Sequence, residues 1–558
     1  MKMKSVNTKK LRYGGVTALL TALVIAAVIV GNVIFSALAQ KFLWYADLTP
    51  ELLFTLSDEC VDLIANGDDT FENSSSPIEM VDRYRAERKE QDPSFRDEDL
   101  MINFIFCDEP DVWQSSALQK YVYETAKQLQ EKFPDYIKIT NHDIIWNPSA
   151  VSKYEGATTT SVIIECGSEY RVRGVKEFYT WDSTDSSTPW AYNGEKIFAA
   201  GILAVTRAET PIACLTINHG EKWDESNAQL LMTLETAGYK VQALDLATSD
   251  IPADCRLLVV MDPQTDFRVK DGVSDVDEIA KLEAFLDGAN SMMVFMGSDT
   301  PLTQFESFLE DWGIVFDRKQ EGGTYYPTMI TDPSQSYYGN GGYTIEAEYV
   351  TDGGMGGKIT KPLRQNEAVP PAIVFQDAMS ISYPERFKMT HFVDEKDSSI
   401  SYDYASFSYD GVTRSIYDVF VTSENAVAMA GGSAYKKATA NTPLRLMTVS
   451  METMTTREDN FSSMTTASYV IACGSPEFAN TTVINNNAYG NNSFLEYALR
   501  AIGQEPVPVG LEFKAFGDYT IDTVTTAEAT QYTVVLTVIP AVIALTAGVI
   551  VIVRRKNR

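Results

Sequence analysis

The sequence predicts an α/β protein: tandem extracytoplasmic α/β domains, one of them a doubly wound, Rossmann-like parallel sheet, flanked by N- and C-terminal transmembrane helices. Two long uncharged stretches lie near the ends of the 558-residue chain. The body between them is globular in composition, since the chain is 45% hydrophobic and 11% aromatic. Within that body, short apolar runs alternate with amphipathic stretches, which is the pattern of strands and crossover helices in a parallel sheet.

The two uncharged stretches are residues 14–39 and 532–553. At about 1.5 Å of rise per residue, each is long enough to cross a hydrocarbon core of about 30 Å as a helix. Lysines and arginines precede the first stretch and follow the second, so the positive-inside tendency predicts a two-pass protein of the cell membrane with both termini cytoplasmic and the main body extracytoplasmic. A signal peptide cleaved after Ala39 remains an alternative for the first stretch.

Charge and residue usage exclude several kinds of function. The 46 Lys and Arg against 76 Asp and Glu give a net charge of −30, which argues against binding to nucleic acid, because that requires clustered cations. The chain holds only 3 His and 6 Cys, which leaves little material for a His-rich metal site or a disulfide framework. We therefore predict no cofactor and no metal.

The first extracytoplasmic α/β domain is predicted over residues 40–190. Ser57, followed by two acids, is a helix cap. Further elements are a strand at 101–107, a helix with one apolar face from 118 to 133, and strands at 136–140 and 161–166.

The doubly wound domain is predicted over residues 191–330. A helix at 195–205 precedes alternating strands and helices, which we place at 211–217, 226–237, 239–244, 257–261, 276–286 and 291–296.

The remaining segments are assigned by composition. Residues 331–465 are interpreted as an irregular or β-rich insertion, and 466–503 as a closing unit of one strand and one helix. The other predicted segments are cytoplasmic basic tails at 1–13 and 554–558 and a linker at 504–531.

The order of these segments resembles a known family. An N-terminal anchor, the stretch LTPELLFTLSDECVDLI, the stretch EKIFAAGILAVT and then a strand ending in His219, Gly220 and Glu221 resemble GldG-type auxiliary proteins of ABC transport systems. LLVVMDPQTDF and the closing VIACGSPEFAN with its Asn-rich turn and terminal helix are also similar to that family. The chain departs from the family pattern at Asn218 and Ala289, where the family has glycine.

The resemblance implies partners rather than chemistry. It implies that this chain acts with an ABC-2-type permease and its cytoplasmic ATPase, and it supplies no catalytic residues to carry over. The cargo and any ligand are left unidentified.

Polar residues follow the predicted strands of the doubly wound domain. In such sheets ligands bind at the carboxyl ends of the strands. The candidate binding residues are therefore those that follow the strands ending near 217, 261 and 296: His219, Gly220, Glu221, Asp262, Pro263, Gln264, Gly297 and Ser298. The alternative for His219 and Glu221 is that they bond to each other and hold a tight loop.

Two other motifs are interpreted as structural. GGMGGK at 353–358 lacks the glycine and the Ser or Thr of a phosphate-binding loop, so we predict a flexible loop and no ATP hydrolysis. The acids Asp266, Asp271, Asp275 and Asp277 lack EF-hand spacing and are interpreted as solvated acids at a helix start.

We expect a non-enzymatic, membrane-anchored auxiliary subunit of an ABC transport system. The alternative is a free-standing membrane-anchored ligand-binding or sensing protein that uses the His219 and Asp262 loops. A hydrolase is the third hypothesis, and it is weakened because no nucleophile elbow is found.

Overall fold

The computed structural model describes residues 53–516 except 69–74, 182–187, 208, 271–274, 338–341, 366–368, 395–399, 410–411, 458–462, 487, 504–506 and 512, together with single positions in the two terminal segments. The chain divides into two compact units, one up to Lys514 and one from Ala515 on. In the part of the chain that is described, no helix has the length and apolarity needed to cross a membrane. Both predicted spans, 14–39 and 532–553, lie almost entirely outside the described residues.

The first sheet is four-stranded and has helices packed on it. Its strand order is β2-β1-β3-β4, with β1 and β2 parallel and the other pairs antiparallel. The elements of this region are α1 (Asp58–Asn66), α2 (Pro77–Gln91), β1 (Ile102–Phe106), α3 (Pro110–Ser115), α4 (Ala117–Lys132), β2 (Ile137–Asn141), β3 (Ser161–Cys166), β4 (Glu169–Gly174), β5 (Tyr179–Trp181), β6 (Pro189–Tyr192) and α5 (Gly194–Thr206). Ser57 caps α1 by accepting a hydrogen bond from the Cys60 N–H, as the sequence predicts.

The second sheet contains the predicted parallel strands. Along the chain these elements are β7 (Ile212–Thr216), α6 (Ala228–Thr236), β8 (Lys240–Leu244), β9 (Cys255–Met261), α7 (Glu278–Asp287), β10 (Ser291–Phe295) and α8 (Thr303–Asp311). Across the sheet the order is β8-β7-β9-β10, all parallel.

Part of the chain from 315 to 473 extends the same sheet, mostly with antiparallel strands, and the rest forms small sheets of two or three strands. It forms β11 (Val315–Phe316), β12 (Arg318–Glu321), β13 (Thr324–Pro327), β14 (Met329–Thr331), β15 (Thr344–Glu346), β16 (Glu348–Tyr349), α9 (Met355–Gln365), β17 (Val374–Gln376), β18 (Ile381–Ser382), β19 (Lys388–Val393), β20 (Ser401–Tyr409), β21 (Val412–Val421), β22 (Val427–Ala430), β23 (Ser433–Lys437), β24 (Arg445–Arg457) and β25 (Ser463–Cys473). β25 is parallel to β10, and the sheet continues through β24, β21 and β20 to β19 at its edge. The last elements are α10 (Thr481–Ile484), α11 (Asn491–Gly503) and β26 (Lys514–Ala515).

Helices cover both faces of the parallel strands. Alternate residues of β7 point to opposite faces, so Leu215 packs with Leu234 of α6 while Cys214 packs with Leu282 of α7. α11 lies with α6 on the first face and α8 with α7 on the second. The predicted mixed α/β class with parallel strands is therefore confirmed for the described body.

The parallel strands follow the chain order 2-1-3-4-5. β7 is the first strand in the sequence, and its neighbours are the second strand, β8, and the third, β9. The second strand is therefore added on one side of β7 and the third on the other, so the order of strand addition reverses between β7 and β9. In sheets of this order, ligands bind outside the carboxyl ends of the strands at that reversal.

The prediction of a flexible loop at 353–358 is wrong, because Gly356, Gly357 and Lys358 lie in the first turn of α9. A Cβ atom at position 356 would lie 1.9 Å from the carbonyl oxygen of Asp418 in β21. Glycine therefore lets the helix backbone approach the sheet more closely than any side chain would allow.

Candidate functional site

The loop after β7 makes a sharp turn that depends on two left-handed residues. Asn218 has φ of 77° and Gly220 has φ of 92°. The carbonyl oxygen of His219 accepts hydrogen bonds from the backbone N–H groups of Gln264 (2.7 Å) and Thr265 (2.8 Å). A Cβ atom on Gly220 would lie 2.8 Å from Cβ of Gln264, so the contact between the loops after β7 and β9 requires glycine here.

The His219 ring is buried between two carboxylates and a phenyl ring. Its Nδ1 lies 3.3 Å from Oε1 of Glu221, and its Nε2 lies 3.1 Å from Oε2 of Glu278. The imidazole stacks on Phe267 at 3.9 Å between centroids and 6° between planes. Only 4% of His219 is exposed, so the ring has no open side for a substrate.

These contacts favour the protonated ring. Burial lowers the pKa of His219, but the hydrogen bonds to Glu221 and Glu278 outweigh it, and the net effect is a pKa above the ordinary value. Burial likewise raises the pKa of Glu221, but its hydrogen bond with His219 and its further hydrogen bonds leave a net lowering. Carboxylate oxygens of Glu221 and Glu278 already contact both ring nitrogens, so neither nitrogen is open to a substrate and His219 is not arranged as a general base.

Glu278 ties the cluster to the start of α7. The same Oε2 atom accepts from the backbone N–H of Arg268 at 2.7 Å, and 1% of the residue is exposed. Its Oε1 atom is buried and has no hydrogen-bond partner among the described residues. The cluster of His219, Glu221 and Glu278 thus joins two loops and a helix.

Asp262 connects the ends of β9 and β10. Its φ is 46°, and its Oδ1 atom accepts from the backbone N–H of Gly297 at 2.8 Å. Burial raises the pKa of the Asp262 carboxyl; the Gly297 hydrogen bond opposes that shift and the charge of Asp299 adds to it. Left-handed backbone strain together with a partly buried acid makes Asp262 a candidate binding residue.

Gly297 and Ser298 complete the same edge from β10. A Cβ atom on Gly297 would lie 2.7 Å from Cγ of Pro476. Ser298 is buried, and its Oγ atom donates to the carbonyl oxygen of Thr300 at 3.0 Å. The Ser298 hydroxyl is therefore engaged in holding its own turn and is not aimed at the cavity.

A cavity of about 340 Å³ lies above the reversal between β7 and β9. The residues that line it lie at or after the carboxyl ends of β7, β9 and β25 and are Gly220, Lys222, Ser226, Asn227, Met261, Asp262, Gln264, Pro476, Glu477 and Asn480. One ammonium and two carboxylates thus face it, with Glu477 accepting a hydrogen bond from Asn480 Nδ2 at 2.8 Å. The lining suits a small polar molecule.

The predicted candidate residues divide into those that line the cavity and those that support the loops behind it. Gly220, Asp262 and Gln264 line this cavity. His219, Glu221, Pro263 and Ser298 have side chains packed within the loops, and Gly297 joins Asp262 to Pro476. All eight lie at the carboxyl edge of the parallel strands, as expected.

Sequence reasoning missed Lys222, Asn227, Glu477 and Asn480 as lining residues. Glu477 and Asn480 follow β25, so the rule that parallel strands end at a common edge could have identified them. Glu278 lies 59 residues from His219, and no sequence signal indicates that pairing.

A larger cavity of about 390 Å³ lies away from the strand ends, lined mainly by residues of α5, α6, α11 and the Asn-rich turn. Lys196 and Glu496, which line it, form an ion pair at 2.5 Å. Its charged groups are therefore already paired with each other.

The cysteines and acids have structural roles. All six cysteines are free thiols and buried.

Asp277 caps α7. Asp266, which is partly exposed, accepts from the N–H groups of Gln304 (2.8 Å) and Phe305 (3.1 Å) at the start of α8 rather than α7; Asp271 lies outside the described residues. No group of three or more potential metal ligands occurs in the described parts of the chain.

No family model matches this chain, and no curated protein matches its sequence.

Proposed function

We propose that this chain is a membrane-anchored, non-catalytic auxiliary subunit of an ABC transport system, and that its extracytoplasmic α/β body binds the permease, the cargo or another envelope protein. The observation that carries the non-catalytic part is the burial of His219. Both of its ring nitrogens are hydrogen-bonded to carboxylates and its face is stacked on Phe267. The residue best placed for acid–base chemistry therefore acts as a link between loops.

The transport part of the proposal is supported by sequence. Two uncharged stretches with basic flanks enclose an acidic body, and the order of motifs between them resembles GldG-type auxiliary proteins. GGMGGK lacks the glycine and the Ser or Thr of a phosphate-binding loop, and it leads into a helix packed on a sheet. We therefore assign ATP hydrolysis to the ATPase of such a system and not to this chain.

Co-purification tests this proposal. Full-length chain, affinity-tagged and isolated from native membranes after mild cross-linking, is expected to carry a multi-span permease and an ATPase. Material from the same membranes with an unrelated two-pass protein tagged is the matched control. Recovery of the chain without either partner contradicts the proposal.

The cavity at the strand ends favours a second candidate, a free-standing ligand-binding or sensing protein. Its lining of Lys222, Asp262, Gln264 and Asn480 offers both donors and acceptors to a small polar ligand. A thermal-shift screen of metabolites and glycans is expected to find a ligand whose stabilisation is lost in Asn480→Ala. The matched control is Asn486→Ala, which lies outside this cavity. A flat response across the screen contradicts this candidate.

A further inference from the structure

Strand β19 is a fully exposed edge of the large sheet. It is the terminal strand of the order that runs through β20, β21, β24 and β25, and all six of its residues are exposed. Met389 is 59% and Val393 45% exposed. Sheet edges in soluble proteins are normally protected by proline, by charged side chains, by a bulge or by short length. Within β19 the only lysine or acid is Lys388, at its first position. β19 has no proline, and its pairing with β20 is regular throughout.

The free backbone groups of this edge can be assigned to particular residues. Asp394 N–H donates to the carbonyl oxygen of Ile400 at 2.9 Å, and these two residues are opposite each other in the register that β19 and β20 follow. Hydrogen-bonded pairs alternate along an antiparallel ladder. The N–H and C=O groups of Met389, His391 and Val393 therefore point away from β20.

We infer that a second copy of this chain pairs antiparallel with β19, about a two-fold axis through His391. In this register Met389 lies opposite Val393 of the second copy, and His391 lies opposite His391. All three outward-facing residues of each strand then form backbone hydrogen bonds, six in total. In a register centred on Thr390, Met389 of each copy would pair with His391 of the other copy. Val393 would then lie opposite a residue that precedes β19 and would have no partner within the strand.

Side chains favour the same register. On one face, the exposed apolar side chains of Met389 and Val393 meet across the axis. On the other face, Lys388 lies opposite Asp394 of the second copy, so each copy contributes one charge of each sign at each end. The pairing is thus self-complementary, as an isologous two-fold contact requires. The net charge of −30 opposes association mainly at low ionic strength, because salt screens separated charges beyond about 10 Å.

Disulfide trapping in the full-length chain tests the register. Opposed residues of a hydrogen-bonded antiparallel pair have Cα atoms about 5.5 Å apart, within the range of a disulfide. His391→Cys is therefore expected to give a covalent dimer on mild oxidation in membranes. In Thr390→Cys the Cα atoms are roughly 8 Å apart, which is outside that range. The six native cysteines are buried. The unsubstituted chain, oxidised in the same way, therefore measures the background of disulfide cross-linking through them.

A mixing experiment separates this pairing from random collision. Met389→Cys alone and Val393→Cys alone place equivalent Cα atoms roughly 14 Å apart, so neither forms a dimer. Co-expression of the two, with different tags, is expected to give a mixed disulfide. Tyr409→Cys, at a residue 76% exposed, is the control for collisional cross-linking.

Charge exchange gives an independent measurement. Lys388→Asp alone places like charges opposite each other at both ends and is expected to lower the His391→Cys dimer yield about threefold or more. Adding Asp394→Lys restores opposite charges and the yield.

Three outcomes would overturn the proposal. They are cross-linking of Thr390→Cys as readily as His391→Cys, absence of a dimer from the mixed Met389→Cys and Val393→Cys pair, and cross-linking of His391→Cys only to a different protein. None of these residues lines the cavity or belongs to the His219 cluster, so the result is independent of the proposed function.

Discussion

At the scale of single residues, His219 shows how burial and pairing together decide a role. A histidine followed by glycine and glutamate at a strand end is compatible with catalysis, binding or loop closure. The bonds from its two nitrogens to Glu221 and Glu278 select loop closure. The two carboxylates lose much of their hydration in this site, so they depend on the positive charge of His219.

His219→Ala is expected to destabilise the full-length chain by about 3–5 kcal/mol, because it leaves Glu221 and Glu278 buried without a counter-charge. The effect depends on pH. The folded-state pKa of His219 is raised above its ordinary 6.5, so its stabilisation is fully present below about pH 6.5 and declines as pH rises through the higher folded-state pKa. Urea unfolding of both proteins between about pH 6 and pH 9 measures this difference.

His142→Ala is the control for His219→Ala, because His142 lies outside the cluster. His142→Ala is expected to change the free energy of unfolding by less than about 0.5 kcal/mol. A His219→Ala difference that is small, or that grows with pH, contradicts a buried imidazolium.

Substitution of Asp262 is expected to change stability in the opposite direction from substitution of His219. Burial raises the pKa of its carboxyl, so the charged form is disfavoured in the folded state at neutral pH. Asp262→Asn keeps the Oδ1 acceptor for Gly297 and suits a positive φ, and it is expected to stabilise the chain by less than about 1 kcal/mol because the carboxyl is only partly buried. Thermal unfolding at pH 7 measures this. Asp299→Asn is the comparison, and destabilisation by Asp262→Asn contradicts the assignment.

At the scale of elements, the first turn of α9 depends on glycine for its distance from the sheet. Gly356→Ala puts a Cβ atom 1.9 Å from the Asp418 carbonyl oxygen, and backbone cannot move aside as a side chain can. We expect a loss of about 1–3 kcal/mol, although alanine favours helix more than glycine does. Lys358→Ala, in the same turn but exposed, is expected to be nearly neutral. Equal unfolding midpoints for the two variants would show that the helix does not touch β21.

The sequence predicts the apolar strands better than the polar ones. β7, β9 and β10 consist mainly of apolar residues and are placed to within about two residues. The sequence pattern does not predict β24, because Thr448, Ser450 and Glu452 are buried in it and interrupt the apolar pattern. Arg414 of the neighbouring strand neutralises Glu452 at 2.7 Å, a pairing that only the sheet register creates.

At the scale of the whole molecule, an ion pair joins the first helix region to the last. Arg500 of α11 donates to both carboxylate oxygens of Asp68, which lies 432 residues earlier, with Nε at 2.6 Å from Oδ2. Arg500→Gln is expected to lower stability by about 1–3 kcal/mol, because Asp68 is only 9% exposed and loses a charged partner.

Arg83→Gln is the matched control for Arg500→Gln. Arg83 pairs with Glu87 on an exposed helix surface, with both side chains more than half exposed, and such pairs contribute little. Its loss is expected to change the unfolding free energy by less than about 0.5 kcal/mol. Equal effects of the two substitutions in urea unfolding would contradict a stabilising link between Asp68 and Arg500.

The sequence by itself determined the α/β class, the parallel strands and the common edge on which all eight candidate residues lie, because apolar periodicity and strand ends are local properties of the chain. The apolar terminal stretches and the acidic balance are equally local, and they support the proposed anchoring. Tertiary structure decided which residues face the cavity, that Glu278 closes on His219, and that β19 is left as an open edge. Those outcomes depend on contacts between residues far apart in sequence, and a local pattern carries no information about its distant partner.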